Sequence, residues 1–301
     1  MNTIKLEYRI RSFFLKIDKK DYFFSKILKF IYKIVVFKKN FPKLSSKDIE
    51  KYKDKNLELN GFERYTQINT FTEKVILRSN EIIKSPEFLK NLDSEKKVFL
   101  QTYQVRFLEC DNHIFLKFLF ENKLLNRIIS YIGHDIILSR IQIMFSENKV
   151  FEPGRSQNFH MDGDDSKQIK VFFHLSDIDL ESGPLNIISK SNSRMLYNEI
   201  KQNRLIKKKT KRLSDEEVAK YLDKDQISTM TGNKGTTYLI DTSNCYHFGS
   251  RPGKKVRYIL MYQFLPSSSY YLPMAINTIK SFGKSDILSN EEISVIDKIT
   301  Y

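Results

Sequence analysis

Near residue 135 the sequence changes texture, and that change limits the fold more than any other feature. From about 44 to 134 the pattern is mostly helical. Ser45-Ser46-Lys47-Asp48 reads as a helix start, with serine at the cap and acid in the first turn. Thr72 to Ile83 has helical periodicity, and Ile114 to Ile132 is apolar at helical spacing and stops at Gly133. From 136 to 265 the runs become short, branched and alternating. They include Ile136 to Phe145, Gln168 to Leu175, Pro184 to Ile188, Thr236 to Ile240 and Val256 to Phe264. Several short strands with one long insertion, about 193–226, predict an α+β chain with a mainly β core. The expected core is a jelly-roll or cupin-like barrel with helices flanking one side.

The chain has 301 residues, 41% of them hydrophobic and 13% aromatic, which suits a globular protein and excludes a disordered one. One domain over 44–283 is expected, made of a helical part (44–134), a barrel (135–265) and a lid-like insertion (193–226). A C-terminal helix or tail follows at 284–301. Two cysteines make no disulfide framework, and neither a signal peptide nor an uncharged run near 18–20 residues is evident. A cytoplasmic location is therefore expected. The net charge of +15 invites a nucleic-acid reading. Lysine, isoleucine and asparagine are heavily used throughout, however, as an A/T-rich genome would produce, so nucleic acid is disfavoured as a partner.

Residues 1–43 form a separate basic amphipathic segment. Lys26, Lys29 and Lys33 share one helical face among Phe23, Phe24, Phe30 and Tyr32. Such a helix suits peripheral contact with an anionic membrane surface, and it equally suits packing on the domain with its lysines solvated.

Two distant segments carry candidate chemistry. Asn158-Phe159-His160-Met161-Asp162 contains a His-x-Asp whose side chains point the same way on an extended chain. Thr242-Ser243-Asn244-Cys245-Tyr246-His247 follows a strand and its Asp241-Thr242 turn. Two imidazoles and a carboxylate, one of them distant, are what holds Fe(II) on one face and leaves the other open. The alternation favours Asp162 over Asp164 and Asp165. Cys245 reads as a packing residue and His174 as a core histidine.

Further residues extend the pattern. His160-Met161-Asp162 is followed by a strand, then Asp177 to Leu185 with its Gly183-Pro184-Leu185 turn, a Gly235-led strand, His247 and Arg257. In this order the chain resembles the phytanoyl-CoA dioxygenase-like family of Fe(II)- and 2-oxoglutarate-dependent oxygenases. The resemblance covers 136–265 well and 60–134 less closely. It does not reach residues 1–43, the details of the insertion or the C-terminal tail.

The resemblance implies a double-stranded β-helix in which His160, Asp162 and His247 bind Fe(II). Arg257 then grips the distal carboxylate of 2-oxoglutarate, a task its bidentate fork suits. Arg251 competes for that role, but it precedes a Pro252-Gly253 turn, whereas Arg257 alternates with Ile259 and Met261 on a strand. Gln142 and Phe172 fall where the family lines the cosubstrate pocket. Gly249 departs from members with a hydroxyl there. The implied activity is a dioxygenase that uses O₂ to hydroxylate a C–H bond of a small molecule, releasing succinate and CO₂. Asp162 argues against halogenation, which needs a small residue in place of the carboxylate. Basic residues in the insertion and Arg155 would suit an anionic or carrier-linked substrate. The alternative is a non-catalytic metal-binding cupin module tethered to a membrane or nucleic acid by its basic N-terminus.

Overall fold

The computed structural model describes residues 46–53, 55–65, 70–94, 99–107, 110–133, 136–152, 155–202, 212–269, 271, 274 and 285–300. The basic segment 1–43 lies outside the described residues, as does most of the basic run 204–212.

The strands are β1 (Phe62–Tyr65), β2 (Gln101–Gln104), β3 (Ile136–Ser146), β4 (Ile169–His174), β5 (Leu185–Ile188), β6 (Ile227–Met230), β7 (Thr237–Ile240), β8 (His247–Phe248) and β9 (Arg257–Pro266). They pair into a six-stranded antiparallel sheet, β1-β7-β4-β9-β3-β2, and a smaller one, β6-β5-β8. The architecture is a mixed helix and antiparallel-sheet one. The strand runs read from the sequence fall on β3, β4, β5, β7 and β9. Four further strands went unseen: β1 and β2 within the stretch read as helical, β6 just after the insertion, and the two-residue β8 at His247. Phe62-Glu63-Arg64-Tyr65 and Gln101-Thr102-Tyr103-Gln104 are short edge strands, mostly polar and half exposed, so they carry almost no periodic signal.

Alternation divides the large sheet cleanly. Ile169, Val171 and Phe173 of β4, Leu260, Tyr262 and Phe264 of β9, and Ile141 and Ile143 of β3 face outward into the main core. Helices cover that face: α1 (Ser46–Tyr52), α2 (Lys55–Asn60), α3 (Thr70–Ile83), α4 (Pro86–Ser94), α5 (His113–Phe120) and α6 (Leu124–Ile132) precede β3, and α9 (Asn290–Ile299) adds Ile296 and Ile299. The Phe118 ring meets Phe173 edge-on at 5.1 Å, and the Tyr262 hydroxyl donates to the Phe115 carbonyl at 2.9 Å.

The run Ile114 to Ile132 is two helices, not one. The polar triplet Glu121-Asn122-Lys123 interrupts it, and Lys123 takes a left-handed conformation (φ 58°) between α5 and α6. Both halves thereby lay an apolar stripe on the sheet. Gly133 ends α6 with a positive φ of 120°, its N–H donating to the Ile129 carbonyl at 2.8 Å.

Helices also cover the second side, contrary to the one-sided layer expected. Within 193–226, α7 (Lys190–Gln202) and α8 (Asp215–Ala219) bring Leu196, Ile200 and Val218 onto Ile188, Tyr246 and Phe248 of the smaller sheet. Between the two sheets lies a third apolar cluster, with Phe172, Ile259 and Met261 from one and Ile187 and Met230 from the other. The candidate site opens at its edge.

Candidate metal centre

Residues 158–162 run antiparallel to His247. The His160 N–H donates to the His247 carbonyl and the His247 N–H to the His160 carbonyl, both at 3.0 Å, while Asp162 N–H reaches the Thr242 carbonyl at 2.9 Å. This pairing brings the distant segments together. The turn that delivers His247 is shaped by the buried Asp241 carboxylate. It accepts from Ser243 N–H (3.1 Å), the Asn244 amide (2.7 Å) and the Tyr131 hydroxyl of α6 (2.6 Å). Burial, and then the adjacent Asp241 charge, push the Tyr131 phenol far above its ordinary range, so it stays a hydrogen-bond donor.

Both imidazoles are oriented by their own backbone. Nδ1 of His160 lies 2.9 Å from the Asn158 carbonyl, and Nδ1 of His247 lies 2.9 Å from the Cys245 carbonyl. A carbonyl only accepts, so each Nδ1 carries the proton and each Nε2 presents a lone pair. Those Nε2 atoms lie 3.8 Å from Asp162 Oδ1 and Oδ2 respectively, and one ligand atom from each residue falls within a 4.8 Å group.

The charge states agree with this arrangement. Burial lowers the pKa of both histidines, and for His247 the neighbouring His160 helps bring it to about 3. Burial alone would raise the Asp162 carboxyl. The Lys170 ammonium, 2.7 Å from Oδ2, and the two imidazoles outweigh it and hold the group far below the usual carboxylate range. At neutral pH the trio is therefore two neutral imidazoles and one carboxylate, a donor set that fits a divalent transition metal.

Arg257 occupies the other end of the cleft. It is buried, and burial lowers its pKa to about 10. Its guanidinium donates to the Gly183 carbonyl (2.6 Å) and to the Ser250 hydroxyl, and among the described residues no carboxylate pairs with it. The loops around it are pinned in unusual conformations. Gly183 (φ 55°) has no room for a side chain, since a Cβ there would lie 2.5 Å from the Arg251 carbonyl. Ser250 (φ 60°) and the buried Asn148 (φ 56°) take left-handed conformations without being glycine. The Asn148 amide spans the two loops, donating to the Ser182 carbonyl at 2.7 Å and the Lys255 carbonyl at 2.8 Å.

The cleft, about 150 Å³, is lined by His160, Asp162 and His247 together with Arg257, Phe172 and Lys170. Gln142 is not brought to it. It lies on β3 opposite Met261, and Met144, two residues on, takes the lining position. Arg251 faces elsewhere, pairing with Asp215 through both terminal nitrogens (2.7 and 2.6 Å) and stacking on the Phe248 ring. Asp164 and Asp165 also turn away, to the Gln263 amide and the Ser166 N–H. Cys245 packs against Gly61, and buried His174 shares the inward face of β4, with a pKa lowered to about 4 by burial.

Two groups escaped the sequence reading. Ser250, one residue beyond Gly249, supplies a hydroxyl to Arg257. Lys170 shares the alternation of Phe172, a signal that was present but looked ordinary in a lysine-rich chain.

No family model matches the chain, and no curated protein does. Among solved structures, EctD from S. alaskensis with 2-oxoglutarate and 5-hydroxyectoine is similar, with TM-score 0.50 and 11% identity, covering 79% of this chain and 81% of EctD. HygX from Streptomyces hygroscopicus with nickel and 2-oxoglutarate bound matches with TM-score 0.46 and 14% identity, over 75% of this chain and 88% of HygX. The non-heme alpha ketoglutarate dependent epimerase SnoN from nogalamycin biosynthesis matches with TM-score 0.46 and 9% identity, over 74% and 84%. The likeness to EctD is one of fold. Among the described residues, no helix is long and apolar enough to cross a membrane.

Proposed function

We propose that this chain is an Fe(II)- and 2-oxoglutarate-dependent dioxygenase of the phytanoyl-CoA dioxygenase-like kind, built on a double-stranded β-helix, that hydroxylates a C–H bond of a small molecule. The observation that carries this reading is the pairing of two unlike sites in one cleft. One is a convergent His160–Asp162–His247 donor set, and the other is a buried guanidinium with no acid partner among the described residues. The 2-oxoglutarate in the EctD structure is a ligand of the kind such a pair would hold.

The residues fit the group they would bind. His160 and His247 offer Nε2 lone pairs because their Nδ1 protons are held by carbonyls, and Asp162 supplies the charge. Bound there, Fe(II) would supply the coordination site at which O₂ is reduced as 2-oxoglutarate loses CO₂ to become succinate. Arg257 would receive the distal carboxylate of 2-oxoglutarate. Desolvation makes its unpaired charge costly, and a carboxylate relieves that cost. Gly183 and Ser250 already fix the guanidinium plane, so little ordering remains when the diacid binds. Phe172, Met144 and Ile259 give the cleft apolar walls that exclude water and strengthen that pairing.

The test is succinate formation. Protein supplied with Fe(II), O₂ and 2-oxoglutarate should form succinate even without its own substrate, slowly, and Asp162→Ala should form none. Arg257→Met should need at least about tenfold more 2-oxoglutarate for the same rate, as expected on losing a charge-assisted pair. Equal succinate from wild type and Asp162→Ala would contradict the reading.

A further inference from the structure

The proposed reaction uses Arg257 and the three donors, and a second cation stands in the same cleft, beside the Asp162 carboxylate that it helps keep ionised. Lys170 stands on the inward face of β4, where its neighbours in alternation are Phe172 and His174. Its side chain is 18% exposed, and its ammonium lies 2.7 Å from Asp162 Oδ2. An ammonium carries three donors, and a carboxylate that also serves a metal satisfies them only in part.

The position of Lys170 separates it from the Arg257 end. In the β4–β9 register Lys170 lies opposite Gln263, six residues along β9 from Arg257, about 20 Å of strand at ~3.3 Å per residue. Arg257 adjoins Gly249 and Ser250 beyond His247, while Lys170 adjoins Asp162. A diacid resting on Arg257 would approach the donors from the Gly249–Ser250 end, whereas Lys170 approaches them from the Asp162 side. A wider mouth of about 480 Å³ shares Ser156, His160 and Asp162 with the cleft that Lys170 lines, and extends past Asp164, Arg212 and Tyr271. Asp164 belongs to this end through the Gln263 amide. Arg212 is exposed and adds a second positive charge at the rim.

We propose that this mouth takes a substrate bearing an anionic group, a carboxylate or a phosphate, and that Lys170 receives that group beside the metal, apart from the 2-oxoglutarate carboxylate held by Arg257. The inference rests on the dioxygenase reading above and names the substrate class of the same site. Lys170 selects by charge and Arg212 draws the anion in, so the C–H bond to be attacked lies a short distance from an acidic group.

The experiment uses full-length protein, anaerobic Fe(II) and saturating 2-oxoglutarate, with acetate and inorganic phosphate as probes. The metal-to-2-oxoglutarate visible absorption is followed during each titration. For the wild type, at least one probe should perturb that absorption saturably. In Lys170→Met the probe's midpoint should rise about tenfold or more while the 2-oxoglutarate midpoint stays within twofold, and Lys170→Arg should keep probe binding. Whichever probe acts at lower concentration identifies the class. A tenfold rise in the 2-oxoglutarate midpoint of Lys170→Met would assign Lys170 to the cosubstrate and overturn the proposal. Unchanged probe binding in that variant, or no perturbation by either probe in wild type, would overturn it as well. Absence of the wild-type absorption itself would instead remove the iron reading on which the proposal stands. Lys170→Arg, with its retained charge, guards against misreading a folding defect.

Discussion

The two sheets are built from the same alternating pattern, yet they are held together by different forces. The outer face of the six-stranded sheet is a continuous apolar layer under helices, where Phe173, Leu260 and Phe264 are fully buried. The edge of the smaller sheet, where His160 and His247 sit, is shaped by polar contacts. These are the Asp241 turn, the carbonyl anchors of both imidazoles and the Asn148 bridge. Burial dominates the first region because apolar packing there is dense and non-directional. Hydrogen bonds dominate the second because a donor set needs direction more than area. Substitutions should therefore separate stability from metal affinity according to the sheet they strike.

The largest effect on stability should come from Phe173→Ala, which removes a ring buried beneath Phe118. About 3–5 kcal/mol should be lost in denaturant unfolding. Metal affinity of the surviving folded protein should change little, and a stability loss under about 1 kcal/mol would break the contrast.

A smaller loss should follow acidification. Burial holds His174 at about 4 against its ordinary 6.5. The native state thus binds fewer protons than the unfolded chain between those values. His174 does not penalise folding above pH 6.5, it penalises folding increasingly as pH falls toward 4, and the penalty is constant below that. The total is about 3 kcal/mol. Unfolding free energies of wild type and His174→Gln across pH 4–7 should show the wild type losing stability more steeply. Parallel pH profiles would contradict the burial argument.

Asp241→Asn should strike metal affinity where Phe173→Ala strikes stability. The Tyr131 and Asn244 donors lose a charged acceptor, at about 1–3 kcal/mol of stability. The more telling change is in metal affinity, which should fall about 10- to 100-fold because the His247 turn loosens. Titration with Co(II) would read this directly, and unchanged affinity would show that Asp241 serves the fold alone. The smallest effect belongs to Asp215→Ala. It removes an exposed partner of Arg251 and should cost no more than about 1 kcal/mol in a thermal or denaturant comparison.

The long interior strands were legible because they carry sustained alternation. Ile136 to Phe145 and Val256 to Phe264 present one face to the helices and one to the cleft, so burial writes their period into the sequence. The edge strands β1 and β2 were not legible, since half their neighbours are solvent. The break at Lys123 was hidden because the apolar spacing on either side continues in one register. At the candidate site, His160, Asp162, His247 and Arg257 stood out by residue type and order. Asn148 and Ser250 did not, because their left-handed conformations answer to distant partners that no local pattern encodes. Lys170 was overlooked for a simpler reason, being one lysine among many on a strand whose inward face had not been fixed.

The central claim is that His160, Asp162 and His247 hold Fe(II) in contact with 2-oxoglutarate. Its most direct test is the visible spectrum of anaerobic full-length protein given one equivalent of Fe(II) and then 2-oxoglutarate. A weak metal-to-ligand charge-transfer band should appear with 2-oxoglutarate and be missing in Asp162→Ala. A flat visible spectrum from folded, iron-loaded wild type, or an identical band in Asp162→Ala, would contradict the claim.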